Sequence, residues 1–437
     1  MVFIKASLKN FSIGSQKDLY VMILATSFAS GITLLTQALI SKIVAPTIFG
    51  EIRLIYGYFL MIYPFIMLGL HPVLGRLCIQ QNAQKRWASY WRFFNNYWVL
   101  PAIILTLIFA ALALTGKLTE LSSLNKALAI LLIAMPVWVQ TEFYQFFWKF
   151  TRERQRASFA IVITRICFFG GSVAGLTLFS PTSSGFANGF LAGGLVSLAI
   201  LWLINRDFMK KIPAASKPIQ FTAKEKQTIT NVWPMAIILN MIAGVSVQLD
   251  TLMLDHMIAD TQTAGLYGFA FIFANAALLV QAPLLAYFLP ELGSAYDQCR
   301  SLFLRNVFLY QIFLTAFIAF NCIIIGLIIP VIFPYIFNAE YLNALSLLPL
   351  LLLRSTALSS SSVFSEALFV MNNLNIDLVV RILNIGFTVL FSWLWIPDQG
   401  VVGLIYARLI ADIIQFLMYL MLVLYFGNKN IQKITQE

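Results

Sequence analysis

The segment NRDFMKKIPAASKPIQFTAKEKQTITN, Asn205–Asn231, is the longest polar stretch in a chain of 437 residues that is otherwise 60% hydrophobic and only 11% charged. It falls near the middle. On either side of it, apolar runs long enough to cross a bilayer follow one another, and each crossing takes about 20 residues at about 1.5 Å of rise per residue. The segment reads as a linker between two sets of membrane helices. The expected architecture is an all-α integral membrane protein with twelve transmembrane helices in two six-helix lobes, 1–204 and 232–437, joined by the cytoplasmic linker 205–231.

The first lobe's spans are Leu19 to Val44, Phe49 to Leu70, Tyr97 to Thr115, Ala127 to Phe150, Ala157 to Phe179 and Gly185 to Ile204. The second lobe's are Val232 to Met257, Ala264 to Leu289, Val307 to Ile329, Leu342 to Val370, Leu378 to Ile396 and Gly400 to Tyr425. Trp87, Tyr90, Trp91, Tyr97 and Trp98 gather where the third span enters the bilayer, as an interfacial aromatic belt would.

The net charge of +11 is a matter of topology. Sorting the 29 Lys and Arg onto the twelve-helix plan assigns 22 to the termini and the even-to-odd connections. The opposite side receives 4 (Lys42, Arg53, Lys117, Lys126), and three lie well inside spans, away from their ends. Cytoplasmic loops hold Lys and Arg in excess, so both termini are expected in the cytoplasm. No folded module shapes a groove for nucleic acid, which is excluded as a partner. The basic lead-in MVFIKASLKNFSIGSQKD has no small-residue cleavage site, so the first span is expected to be retained.

The halves share a plan. Gly50 in APTIFGE and Gly265 in ADTQTAGLYG close the first hairpin of each half and stand 215 residues apart, as do Gly185 and Gly400 in the last hairpin. Pro136 and Pro349 in the fourth span of each half are 213 apart. Six spans per half is an even number, so the repeats run parallel, about an axis along the membrane normal. Such repeats belong to transporters, whose lobes leave a central cleft and rock about it to give alternating access.

Charges in hydrocarbon are costly enough to be functional candidates by default. Seven lie well inside spans: Glu142, Arg165, Asp250, Arg354, Glu366, Arg408 and Asp412. Arg408 and Asp412 are four residues apart and within reach of one another on a single helix. Arg354 opens RSTALSSSS, and on a continuous helix Ser361 and Ser365 fall within about 20° of it, a hydroxyl-lined stripe. Arg165 has no acid within a turn on its own helix, so its counter-charge is tertiary or a ligand. A planar guanidinium that stays protonated suits phosphate or pyrophosphate.

On the seventh span Asn240, Gly244, Gln248, Thr251 and Asp255 share an arc of about 80°, with Asp250 about 80° outside it and about 7.5 Å deeper than Asp255. Asp255 at the outer end is expected to be solvated. Asp250 needs an arginine partner or a proton, and so reads either as a lobe-locking ion pair or as a coupling site for H+ or Na+. Glu142, Glu366, Arg408 and Asp412 join it as candidates for ion coupling or gating.

Metal spacing, a Gly-rich phosphate loop between strand and helix, and a nucleophile triad are absent from the sequence. No cofactor, metal or catalytic residue is expected. A membrane-bound polymerase or ligase would need a large outer loop, and the longest expected ones, Gly116 to Lys126 and Pro330 to Tyr341, are short.

The stretch DTLMLDHMIADTQTAGLYGFAFIF (Asp250–Phe273), followed by a proline-containing helix ending YFLPELG, is similar to the start of the second half of polysaccharide-biosynthesis flippases. NIGFTVLFSWLWIPDQGVVGLIYARLIAD (Asn384–Asp412) resembles their eleventh helix, Pro-x-x-Gly turn and twelfth helix. APTIFGEIRLIYGYF and MLGLHPVLGRL resemble their first hairpin. The resemblance spans nearly the whole chain and implies the O-antigen and lipid-linked oligosaccharide flippases, relatives of the MATE multidrug extruders in the multidrug/oligosaccharidyl-lipid/polysaccharide exporter superfamily. Such proteins carry an undecaprenyl-pyrophosphate-linked glycan to the outer leaflet of the bacterial inner membrane, in a bilayer shared with polysaccharide polymerase and chain-length machinery. By that resemblance Arg165, Arg354 and Arg53 would meet the head group. The chain departs from the family at Asp255, where a small residue is common, and its eighth span lacks the arginine of lipid II flippases. A multidrug or cation antiporter of the same fold is the competing reading, and would favour an acid-rich cavity.

Overall fold

The computed structural model describes residues 13–70, 73–74, 77, 87–151, 153–211, 222–371 and 373–434. Its helices are α1 Ile13–Ile43, α2 Pro46–Met67, α3 Trp87–Leu114, α4 Asn125–Ile133, α5 Met135–Phe150, α6 Arg154–Leu178, α7 Ser183–Lys211 and α8 Ala223–Met253. There follow α9 Thr261–Ala277, α10 Gln281–Gln298, α11 Arg300–Ile336, α12 Leu348–Ser359, α13 Ser362–Val370, α14 Leu374–Gln399 and α15 Val401–Ile434. Among the described residues, ten segments are long and apolar enough to cross a membrane as single spans, and α12–α13 with the turn before them form a further span bent by 50°. This is a multi-pass, all-α membrane protein.

The eighth expected span, Ala264 to Leu289, is two helices. α9 stops at Ala277 and α10 restarts at Gln281, and the turn between them is closed by Leu278 N–H to Asn275 O and Gln281 N–H to Leu278 O. α11 runs through Pro330 and Pro334 to Ile336, so most of the expected outer loop Pro330 to Tyr341 is helix. The polar stretch around the middle of the chain is helical at both ends, in α7 and α8, and its centre lies outside the described residues. α3 begins at Trp87, ten residues before the expected span, and the aromatic cluster is not a belt. Trp91 is buried against Phe143, Tyr144 and Phe147 at 4.8–4.9 Å, and Trp98 donates from Nε1 to Ile66 O at 2.8 Å. Tyr97 remains exposed. Aromatic pairs of this kind contribute about 0.5–1.5 kcal/mol beyond the area they bury.

The chain forms two compact units. One comprises Met1–Ile43 with Ile55–Gly244, the other Val44–Leu54 with Val245–Glu437. In the first, α6 and α7 pack backbone to backbone along Gly171, Gly175, Gly189 and Gly193, where any side chain would meet a carbonyl or Cα of the other helix. Small residues that let backbones approach are what hold helices together where no hydrophobic effect acts between them. In the second, Gly50 and Gly265 touch reciprocally. A Cβ on Gly50 would collide with Thr261 O, and one on Gly265 with Pro46 O. Both pairs keep the 215-residue offset.

The repeat is also written in backbone turns. Leu131 O to Ala134 N and Ala134 O to Trp138 N recur 213 residues later as Ala344 O to Leu347 N and Leu347 O to Leu351 N. Phe147 O to Thr151 N and Trp148 O to Glu153 N recur 220 residues later as Ala367 O to Met371 N and Leu368 O to Asn373 N. The offset grows by seven residues between these turns, and the extra length sits where the tenth span breaks at Ser360–Ser361. Gln311 clasps that break, donating from Nε2 to Ser359 O and accepting from Val363 N–H, each at 2.9 Å.

Candidate functional site

The second unit is built around an ionic cluster. α8 carries Asp250, α9 Tyr267 and Phe271, α12 Arg354, α14 Asn384, α15 Arg408 and Asp412, and the first turns of α2 carry Arg53. Arg354 Nη1 donates to Asp250 Oδ2 at 2.6 Å, and the Tyr267 hydroxyl donates to the same oxygen at 2.5 Å. Arg408 Nε stands 2.7 Å from Asp250 Oδ1, and its Nη2 donates to Ser246 O at 2.9 Å. Arg354 also faces Asp412, with Nε 3.5 Å from Oδ2, while Asn384 Nδ2 donates to Asp412 Oδ1 at 3.3 Å. The Arg53 and Arg354 guanidiniums both lie over the Phe271 ring, at 5.0 and 5.7 Å. Two guanidiniums thus meet two carboxylates, and a third, that of Arg53, shares an aromatic ring with one of them. Burial of Asp250 and Arg354, the latter 4% exposed, is offset by their ion pairs and by the hydrogen bonds on Asp250 Oδ2, while Asp250 Oδ1 and Arg408 Nε face one another as an ion pair without hydrogen-bond geometry.

The first unit has a different centre. Arg165 on α6 lies 4.7 Å over the face of Trp138 and 3.9 Å from Glu142 on α5. The Arg165 side chain is 30% exposed and that of Glu142 12%. Tyr63 of α2 lies in the field of both. Beside them runs a neutral chain, in which Gln145 Nε2 donates to Thr164 Oγ1 at 3.1 Å and Ser197 Oγ to Thr164 Oγ1 at 3.4 Å.

A third group lies at the elbow between α13 and α14. Arg381 Nε pairs with Asp377 Oδ2 at 2.8 Å, and Asp377 Oδ1 accepts from Ser365 at 2.8 Å and Tyr419 at 2.6 Å. Arg381 Nη2 donates to Ser365 Oγ at 3.1 Å. Glu366 stands in the field of Arg381 and Asp377.

The structure thus brings Arg53, Asp250, Arg354, Arg408 and Asp412 together, places Arg165 with Glu142, and sets Glu366 apart. Four sequence expectations are corrected. Arg408 turns to Asp250, because the neighbouring helix offers a closer carboxylate than the one a turn away. The hydroxyl stripe below Arg354 does not form, since the break at Ser360–Ser361 ends the helical register; Ser361 bonds Leu358 O and Ser365 bonds Asp377. Asp255 is 0% exposed, not solvated. α8 ends there in a π-helical turn, Leu254–Ile258, closed by Ala259 at φ +53°, and a wider turn shifts side chains off a 100° wheel. Arg381, sorted with the loops, lies inside α14. Its i,i+4 spacing from Asp377 was the available sign. Tyr267 and Asn384 carried none.

No group of three His, Cys, Asp or Glu among the described residues is placed to hold a metal ion. No family model matches the sequence, and no curated protein matches it either. Solved structures do. An inward-facing multidrug resistance MATE family transporter of the MOP superfamily superposes with a TM-score of 0.70 at 10% identity, over 96% of this chain and 99% of that one. The lipid II flippase MurJ in an inward closed conformation gives 0.67 at 17% identity, over 92% and 87%. A MOP superfamily transporter from Pyrococcus furiosus Vc1, described as having a binding pocket of reverse polarity, gives 0.60 at 13% identity, over 93% and 95%. The fold of this chain is the one shared by these MOP superfamily transporters.

Proposed function

We propose that this protein flips an undecaprenyl-pyrophosphate-linked oligosaccharide, an O-antigen or similar surface-polysaccharide repeat unit, across the bacterial inner membrane. Both termini are cytoplasmic, two six-helix lobes alternate access to a central cleft, and H+ or Na+ drives the cycle. The observation that carries this reading is Arg165. It is a cation within a span, 4.7 Å over the Trp138 ring, loosely paired at 3.9 Å and still 30% exposed. A guanidinium in that state can exchange a weak protein partner for a pyrophosphate, which it grips with two donors. The aromatic face beneath fixes its orientation. Arg354 and Arg408 already hold carboxylates, and Arg53 shares the Phe271 ring with Arg354. In this reading they set the charge of the second lobe, with Arg53 and Arg354 facing the glycolipid as the cycle turns.

The same fold serves multidrug transport in the MATE structures, which makes a drug antiporter the competing reading. A drug cation bound at either central cluster would need an uncompensated acid there, whereas Glu142, Asp250 and Asp412 each lie within 4 Å of a guanidinium. The deciding experiment is complementation of a flippase-null strain alongside dye efflux in an efflux-deficient one. Wild type should restore surface glycan, Arg165→Ala should not at equal membrane-inserted protein, and Arg165→Lys should restore it in part. Dye efflux without glycan display would establish the antiporter instead.

A further inference from the structure

We propose that Glu366 is the proton-binding carboxyl that couples this transporter to the pH gradient, with Asp377 and Arg381, which hold the adjacent Ser365, as the pair that positions its turn of helix. The inference rests on the transport reading above. It starts from how the intramembrane acids are partnered. Asp250 is held by two guanidiniums and a phenol, Asp412 by Arg354 and Asn384, Asp377 by Arg381, Ser365 and Tyr419, and Glu142 by Arg165. Glu366 alone of the acids placed in these three clusters makes no ion pair or hydrogen bond with a described residue. It is half-buried on the short helix α13, within a span.

Its surroundings give it no counter-charge to take. Helices α10, α11, α14 and α15 pack against α13. From α14, Asp377 and Arg381 bear on Glu366; Arg381 is already spent on Asp377, and Tyr419 of α15 donates to Asp377 as well. On α10 and α11, Tyr287, Glu291 and Tyr310 act on one another, and Arg305 is exposed. With Glu366 ionised, the trio of Glu366, Asp377 and Arg381 carries one net negative charge at the end of a span; with a proton on it, none. Low dielectric favours the neutral trio, so the group takes up a proton when access to water closes and releases it when access opens. The step forms one carboxyl O–H bond with a proton from the aqueous phase and needs no other reactant.

The backbone allows that change of access. Glu366 sits between two interruptions, the break at Ser360–Ser361 clasped by Gln311 and the turn at Met371–Asn373. The first half has the same turn at Thr151–Glu153 but no such break, and its residues 220 positions earlier are Phe146, Ala157 and Ile161 in place of Glu366, Asp377 and Arg381. The acid, its positioning pair and the break are found together in the second half only.

The test uses the purified full-length protein in liposomes, without any glycolipid, so that its outcome is separate from the identity of the substrate. An acid jump on a solid-supported membrane should give a transient charge displacement in wild type. Glu366→Gln should lose most of it, Glu366→Asp should keep it with a shifted pH midpoint, and Asp398→Asn, at an exposed position outside the three clusters, should leave it unchanged. A full transient in Glu366→Gln would overturn the proposal. A second measurement needs no variant: an apolar carbodiimide, which adds to protonated carboxyls in apolar surroundings, should modify Glu366 of the wild-type protein and spare Asp250 and Asp412, as mapped by mass spectrometry. Absence of an adduct on Glu366 would overturn it equally.

Discussion

The two units place different chemistry on the same scaffold. At the 213-residue offset Arg354 of the second unit corresponds to Thr141 of the first, and both are buried. At the 220-residue offset Asn384 corresponds to Thr164, and at the 215-residue offset Asp412 corresponds to Ser197. The contact between the last two helices is kept: Asn384 bonds Asp412 in one unit as Ser197 bonds Thr164 in the other. What differs is charge. The first unit knits its helices with hydroxyls and an amide, and keeps its one central cation, Arg165, partly accessible. The second knits them with two guanidiniums, Arg354 and Arg408, paired to two carboxylates, and sets Arg53 over the ring it shares with Arg354. Duplicated architecture leaves each half free to specialise, because helix packing depends on small residues and turns while polar centres tolerate any set that is fully satisfied.

The largest expected effect breaks the second centre. Arg354→Met leaves Asp250 and Asp412 short of a partner in low dielectric, and losing one member of a buried pair costs about 3–5 kcal/mol. Membrane-inserted protein should fall sharply, and Arg354→Met with Asp250→Asn should recover part of it. Equal levels for Arg354→Met and wild type would show that the cluster is hydrated and not a locked core. The matching change in the first unit, Thr141→Val, removes a single hydroxyl bonded to Trp138 O and should cost only about 1 kcal/mol.

Next comes the reciprocal contact of the repeats. Gly50→Ala and Gly265→Ala each push a methyl into the carbonyl of the other helix, and overpacking of this kind costs roughly 1–3 kcal/mol. If the local two-fold arrangement holds, the two variants should lower thermal stability by similar amounts, as followed by size-exclusion survival after heating. A large effect from one alone would show that the pairing is not symmetric.

The helices that meet at that contact begin differently, which gives a smaller and pH-dependent difference. α2 starts with Pro46, which has no N–H to satisfy, while α9 starts at Asp260, whose carboxylate accepts from the N–H groups of Gln262 and Thr263 and from the Thr263 hydroxyl. Partial burial works to raise the Asp260 carboxyl, but the bonds from Thr263 and Gln262 hold it below the ordinary aspartate range. A depressed acid contributes stability above its unfolded value and loses it as pH falls through the folded one. Asp260→Ala should therefore cost about 1 kcal/mol at neutral pH, reduced by solvent screening at this exposed site, and less in acid. A cost that does not shrink with falling pH would assign the effect to something other than the cap.

The smallest effect on stability is expected at Arg165, where a loose and partly exposed pair contributes under about 1 kcal/mol. Arg165→Gln should insert and melt like wild type while surface glycan display disappears. A melting temperature that drops as far as for Arg354→Met would show that the two arginines play the same structural part, and the contrast between the units would fail.

By itself the sequence determined that the chain is a helical, duplicated membrane protein, because hydrocarbon admits little but helices of about 20 apolar residues and makes each internal charge conspicuous. It also showed Gly50 and Gly265 at one offset, and Arg165 without a partner on its own helix. What tertiary structure decided was the pairing. Asp250 met Arg354 and Arg408, which lie 104 and 158 positions away along the chain, and the local Arg408 and Asp412 pair gave way to it. Side chains follow a 100° wheel only where the helix is regular, and the π-turn at Asp255 and the break at Ser360–Ser361 both interrupt it. Tyr267 and Asn384 could not be found in advance, since a tyrosine or asparagine in a span is unremarkable until a carboxylate from another helix comes within hydrogen-bonding distance of it. Periodicity and charge are local properties of a chain, whereas the compensation of a buried charge depends on which helices the fold brings side by side.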